Sequence, residues 1–295
     1  MWALLVSMVA CDALDPVGTM EARCASVEPD LDACYELGQQ ALALIRPDVT
    51  RARAMFSKGC QTHHARSCNA LAEMVDDAKG GPRDAKRAAE LYDIACRQNI
   101  SSACVHLGVA VYAGDGLKAN PARAVELFKN TCVGDTVNAE ACSALGLAYS
   151  EGKGVEAVDV ERAERLQRKA CEAEYPLACS RVGDLYLART ERREEDVLTA
   201  VEFYEKACRL DAHYGCIELA VLNADGTAPD ASAEKAALYY QKTCRIDPSR
   251  GCFDAAALME SGRVVAREGE IESLYNRACE HGHTAACAKR KLEEK

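Results

Sequence analysis

The sequence predicts an all-α protein: an α/α solenoid of about seven disulfide-stapled helical hairpins, preceded by a partial N-terminal repeat. Two observations carry this reading. First, sixteen of the seventeen cysteines form a ladder. Cys24, Cys60, Cys96, Cys132, Cys171, Cys208, Cys244 and Cys279 recur every 35 to 39 residues. Each is followed eight or ten residues later by Cys34, Cys68, Cys104, Cys142, Cys179, Cys216, Cys252 or Cys287. Second, apolar residues recur at three- and four-residue intervals before and after each pair, the signature of an amphipathic helix.

The eight-residue spacing has a geometric consequence. On one helix such residues lie roughly 12 Å apart, whereas a disulfide needs Cα atoms within about 6.8 Å. Bonded pairs therefore require the chain to reverse between them, from the last turn of one helix to the first turn of the next. The residue before each second cysteine is small: Ala33, Ser67, Ala103, Ala141, Ala178, Gly215, Gly251 and Ala286. Small side chains there let the two helices approach. The alternatives are reduced, buried cysteine acting as a small hydrophobe, and zinc. The regular pairing argues against the first, and the absence of C-x-x-C argues against the second.

Residues 1–10 are almost wholly apolar, too short to span a bilayer, and read as a signal peptide. Residues 12–50 form the partial N-terminal repeat, whose leading helix is short or absent. The solenoid proper occupies 51–288. Its clearest unit runs from Asn120 to Val155. Asn120-Pro121 reads as a cap followed by a proline at the first helical position. Ala124, Leu127, Phe128 and Cys132 make one apolar stripe, and a polar linker follows around Gly134 and Asp135. The second helix carries Ala141, Cys142, Leu145, Gly146 and Tyr149 and stops at Gly152-Lys153-Gly154, where glycine can take the left-handed conformation.

Other units repeat these slots. Eight residues before the first cysteine stands Ala52, Ala88, Ala124, Ala163, Ala200 or Ala236. Four before it stands Phe56, Tyr92, Phe128, Tyr204, Tyr240 or Tyr275, with Gln167 the exception. Three after the second cysteine comes Leu37, Leu71, Leu107, Leu145, Val182 or Leu219, and the next position is glycine or alanine. Large residues alternating with tiny ones serve close helix packing, so these slots are structural. Between the fourth and fifth full repeats, Glu191 to Asp196 replaces the glycine turn with a charged stretch, expected as an exposed loop or helix extension. Residues 289–295, Lys289-Arg290-Lys291 and then Glu293-Glu294-Lys295, suit a polar terminal cap.

The pattern A-x-x-x-[YF]-x-x-x-C-x7-C-x-x-L-G-x-x-Y-x-x-G-x-G resembles the Sel-one-like repeat, a relative of the tetratricopeptide repeat with a longer period. Its disulfide-bridged form, similar to the Helicobacter cysteine-rich proteins, covers about residues 20 to 290. That resemblance implies penicillin-binding or β-lactamase-like activity as one functional reading. Met8-Val9-Ala10-Cys11 resembles a bacterial lipobox, which would lipidate Cys11. An ordinary signal peptide with an unpaired Cys11 is the alternative.

A net charge of −10 argues against a nucleic-acid partner and against a polybasic membrane contact. Oxidised cysteines at this density place the chain in the periplasm or outside the cell. Catalytic signals are sparse. Ser150-Glu151-Gly152-Lys153 matches S-x-x-K, but S-D-N and K-T-G are absent. His63 and His64, like His281 and His283, sit in linkers; His281-x-His283 alone supplies two ligands, short of a zinc site. Acidic pairs such as Asp76-Asp77 and Glu194-Glu195 are expected in turns. No catalytic residue, metal site or cofactor is assigned. The expected function is a monomeric interaction scaffold, secreted or anchored only through a lipid on Cys11. It would hold a protein, peptide or cell-wall glycan on a concave surface.

Overall fold

A computed structural model describes residues 16–26, 28–133 and 138–293; Cys11 and the apolar stretch before it lie outside these. Among the described residues there are sixteen α-helices and no strand. The chain divides between Leu127 and Phe128 into two compact units.

The first unit holds α1 (Pro16–Ala25), α2 (Leu31–Leu42), α3 (Val49–Cys60), α4 (Ala65–Asp76), α5 (Ala85–Cys96) and α6 (Ser101–Ala113). The division falls inside α7 (Pro121–Cys132). The second unit holds the end of α7, then α8 (Ala139–Glu151), α9 (Val160–Glu172), α10 (Pro176–Leu187), α11 (Glu194–Arg209) and α12 (His213–Ala224). It closes with α13 (Ala233–Ile246), α14 (Pro248–Glu260), α15 (Glu270–Glu280) and α16 (Thr284–Glu293). From α1 to α6 and from α8 to α16, each helix packs on its neighbours in sequence; α2 also meets α4, and α10 meets both α8 and α12. This is the solenoid arrangement that the repeat predicts.

Helix starts recur in register with the cysteines. Twelve residues before the first cysteine, the side chains of Asp48, Asp84, Asn120, Asp159 and Ser232 accept a hydrogen bond from the backbone N–H three residues on. Each satisfies a donor that the helix start leaves unpaired. The structural slots are buried as their sizes demand: every alanine of the set from Ala52 to Ala236 is at most 2% exposed. The glycine and aromatic slots, far apart in sequence, meet across neighbouring helices. A Cβ on Gly38 would lie 2.4 Å from Phe56, and one on Gly183 would lie 2.7 Å from Tyr204. A Cβ on Gly146 would lie 2.8 Å from Gln167, so Gln167 occupies an aromatic's place.

Each of the eight cysteine pairs is joined, with Cα atoms 4.4 to 4.9 Å apart, across the turn between an odd helix and the even helix after it. In five of the six eight-residue pairs the third residue after the first cysteine is left-handed: His63, Asn99, Glu174, Asp211 and Gly282, with φ from 59° to 89°. The sixth is Asp247, at φ −125°. Pro248 follows it, and a residue before proline is pushed to extended backbone. Asp247 therefore closes α13 and caps α14 at once.

Two irregular segments resolve differently from a plain loop. α1 is present as a ten-residue helix. In the charged stretch, Asp196 stands in the capping slot twelve before Cys208, yet α11 starts one turn earlier, at Glu194. Asp196 then accepts from the Arg193 backbone N–H at 2.9 Å and is 2% exposed. Glu194 and Glu195 accordingly belong to a first helical turn, where their charge suits the positive end of the helix dipole. They are not turn residues.

Candidate functional site

Within the second unit, α8, α9 and α10 enclose a cavity of about 530 Å³. α10 supplies one wall. Arg181, Asp184, Leu185 and Ala188 follow the i, i+3, i+4, i+7 spacing that puts side chains on one helical face. On the other face of the same helix, Ala178, Cys179, Val182 and Gly183 are buried in the core. α8 contributes Leu147 and Ser150, and α9 contributes Val160 and Gln167.

Two of the lining residues, Gln167 and Arg181, are joined through the buried Ser143 by a relay of hydrogen bonds. Gln167, 2% exposed, donates from Nε2 to the Ser143 carbonyl at 2.8 Å. The Ser143 hydroxyl, fully buried, donates to Gln167 Oε1 at 2.7 Å. It also accepts from Nη1 of Arg181 at 2.6 Å. This satisfies both members of a buried polar pair that would otherwise be costly. It also explains Gln167, since an aromatic in that slot would leave the Ser143 hydroxyl without its acceptor. Burial pulls the Arg181 guanidinium below its ordinary value, and the negative groups around it, Asp184 and Glu151 among them, only partly oppose this.

Asp184 lies one turn along α10 but does not pair with Arg181. Its carboxylate accepts from the Tyr204 hydroxyl at 2.7 Å and the Tyr214 hydroxyl at 3.4 Å. Burial pushes the Asp184 carboxyl up, outweighing those hydrogen bonds. Burial likewise raises Tyr204, and pushes Tyr214 up to about 12. The slot two residues after the second cysteine holds Arg181 on α10, Glu218 on α12 and Asp254 on α14. Burial raises both acids.

Arg189 also lines the cavity, but its charge is engaged. It reaches Glu164 at 3.1 Å and Asp196 at 2.5 Å, and lies over the Tyr186 ring, 3.9 Å from its centroid. Arg168 and Tyr186 complete this network, each 2.8 Å from Glu164. Burial would raise the Glu164 carboxyl, but its hydrogen bonds with Arg168 and Tyr186 bring it below its ordinary value.

The residues weighed from sequence fall elsewhere. Ser150 lines the cavity, but its hydroxyl donates to the Leu147 carbonyl of its own helix at 2.9 Å. Gly152, at φ +67°, ends that helix before Lys153, so the S-x-x-K match straddles a helix end. His64 bonds the Ser67 hydroxyl at 2.8 Å and His283 stacks on Phe253, 4.1 Å between centroids. Among the described residues no three of His, Cys, Asp and Glu are grouped to hold a metal ion. None of their helices is long and apolar enough to cross a membrane. Sequence reasoning did not single out Arg181 or Asp184. The one available signal was Gln167, the polar exception in an aromatic slot.

The comparisons with known proteins follow the same register. The Sel1 repeat family model matches residues 31–61, 65–100, 101–131, 139–175, 176–211 and 213–247. Cytochrome c oxidase assembly factor 7 of Xenopus tropicalis is 28% identical over 173 residues, which are 57% of this chain and 74% of that protein. Factor 7A of Xenopus laevis matches at the same identity and coverage. Among solved structures, a Sel1 repeat protein from Oxalobacter formigenes is 19% identical, with 85% of this chain and 99% of that one covered and a TM-score of 0.67. A protective antigen of uropathogenic Escherichia coli displaying an SLR fold is 20% identical with a TM-score of 0.63, covering 92% of this chain but 57% of its own length. Six matched repeats span most of the sequence: the chain belongs to the Sel1 repeat family.

Proposed function

We propose that this protein is an interaction scaffold working in an oxidising, extracytoplasmic compartment. It engages a protein partner through the even-numbered helices of its second unit. One observation carries the reading. Arg181, Asp184, Glu218 and Asp254 sit half-buried on α10, α12 and α14, at slots that the repeat packing leaves free to vary. Half-buried charges cost stability that packing does not require, and a recognition surface is a reason to keep them. Repeat arrays bind through such extended faces. A relative named as a cytochrome c oxidase assembly factor is in keeping with a protein that holds other proteins. The eight disulfides support an oxidising location. Lipidation of Cys11 would hold the scaffold at a membrane, and the mass of the N-terminal peptide tests it.

The scaffold is tested by site-specific photo-crosslinking. Leu177 on α10 and Val221 on α12 are 39% and 37% exposed, and Leu198 on the odd helix α11 is 44% exposed. A photoreactive residue at 177 or 221 should capture a defined protein in cells, and one at 198 should not. Equal capture from all three positions, or none, refutes the assignment. Nitrocefin hydrolysis that Ser150→Ala abolishes would replace it with an enzyme.

A further inference from the structure

Arg181 is more fully prepared than packing requires. A guanidinium carries five N–H donors in a rigid fork. One side of the Arg181 fork is fixed by Ser143, a neutral hydroxyl at 2.6 Å, itself held by Gln167. No carboxylate lies within ion-pair distance, and Nε and Nη2 find no hydrogen-bond acceptor among the described residues. Asp184 is turned to Tyr204 and Tyr214. Arg189, the other cation at the cavity, is bound to Glu164 and Asp196. The cavity thus holds one oriented, uncommitted cation. Leu147, Val160, Leu185 and Ala188 supply apolar surface beside it.

We propose that this cavity binds a carboxylate of a partner peptide, held by the free side of the Arg181 fork, with a neighbouring apolar side chain against Leu147, Val160 and Leu185. The proposal rests on the scaffold reading and names the chemistry that the scaffold selects. Planar carboxylate matches the guanidinium fork. A phosphate dianion would bring a second negative charge towards Asp184 and Glu151, in a chain whose net charge is already −10. Burial makes the guanidinium gain more from a counter-charge than an exposed one would. A volume of about 530 Å³ accommodates two or three residues, not a folded domain.

The carboxylate can come from a chain terminus or from an Asp or Glu side chain, and three capped peptides separate these sources. Ac-Ala-Ala-Leu-OH carries a terminal carboxylate, Ac-Ala-Glu-Leu-NH2 a side-chain carboxylate, and Ac-Ala-Ala-Leu-NH2 neither. Each is titrated into the oxidised full-length protein while the Arg181 Nε–Hε NMR resonance, assigned from its loss in R181K, is followed. At least one acidic peptide should shift that resonance saturably, and the neutral peptide should not. R181K, which keeps the charge but loses the fork, should weaken binding by about tenfold or more, read on the neighbouring amides.

A second variant guards against a folding defect. Ala188 is exposed at the cavity mouth, so A188W should block the peptide while leaving the Arg181 resonance of the free protein in place. Equal binding of acidic and neutral peptides, no binding at about 10 mM, or unchanged affinity in A188W overturns the proposal. Should it fall while crosslinks from 177 and 221 persist, the scaffold stands and only its carboxylate ligand is lost.

Discussion

Replacing Ser143 by alanine removes one hydroxyl that serves two partners. The Gln167 amide oxygen loses its donor in a site where Gln167 is 2% exposed. An unsatisfied buried acceptor costs about 1–3 kcal/mol. Arg181 loses its acceptor as well, but its guanidinium borders the cavity, so this adds no more than about 1 kcal/mol. A total of about 2–3 kcal/mol follows. In a repeat array the loss stays local. Amide exchange in α8, α9 and α10 should therefore quicken about 30- to 160-fold, with α14 to α16 unchanged, as read by hydrogen-exchange mass spectrometry. S143A combined with Gln167→Leu removes both ends of the pair and should cost less than S143A alone. A destabilisation below about 0.5 kcal/mol for S143A, or a double variant worse than the sum of the singles, refutes the relay.

Three other perturbations test the fold. Glu174 is left-handed at φ 59°, in the slot that glycine fills at 282. Releasing about 1–2 kcal/mol of strain against glycine's added unfolded-state entropy of about 0.5–1 kcal/mol, Glu174→Gly should raise the melting temperature. Asp247→Gly should lower it by loss of a cap. Replacing Cys171 and Cys179 by alanine opens a loop of about nine residues and should cost about 2.5 kcal/mol. Non-reducing peptide maps of the wild type should contain the eight local pairs, and a link between repeats would contradict the hairpin geometry. The third concerns pH. Because burial raises the native Asp184 carboxyl above its ordinary 3.8, the native state holds more protons than the unfolded one between those two values. Stability contributed by this group therefore falls as pH rises through that window. Asp184→Asn should be more stable than wild type at pH 7, with the difference vanishing near pH 3.5, below the unfolded-state value. A variant less stable at every pH would show that the charge itself is needed.

The legible and illegible parts of this chain divide along one physical line. Helix caps, cysteine turns and the glycine–aromatic contacts each involve one hairpin or two successive helices, so each recurs at a fixed offset from a cysteine. Asp48 and Asp159, or Gly38 and Gly183, can be read by counting. Irregularities were harder. The placement of Asp196 depends on where the preceding chain leaves α10, which no offset encodes.

Sequence periodicity was sufficient for the helical hairpins and their cysteine slots, because every repeat packs only on its neighbours and restates the same constraints. Tertiary structure alone brought Arg181 to Ser143 and Ser143 to Gln167, 38 and 24 residues apart. It also turned Asp184 from Arg181 towards Tyr204. Those relations depend on how three helices are rotated against one another and how far each charge is withdrawn from water. Among the described residues such a geometry occurs once, so no repeating pattern records it.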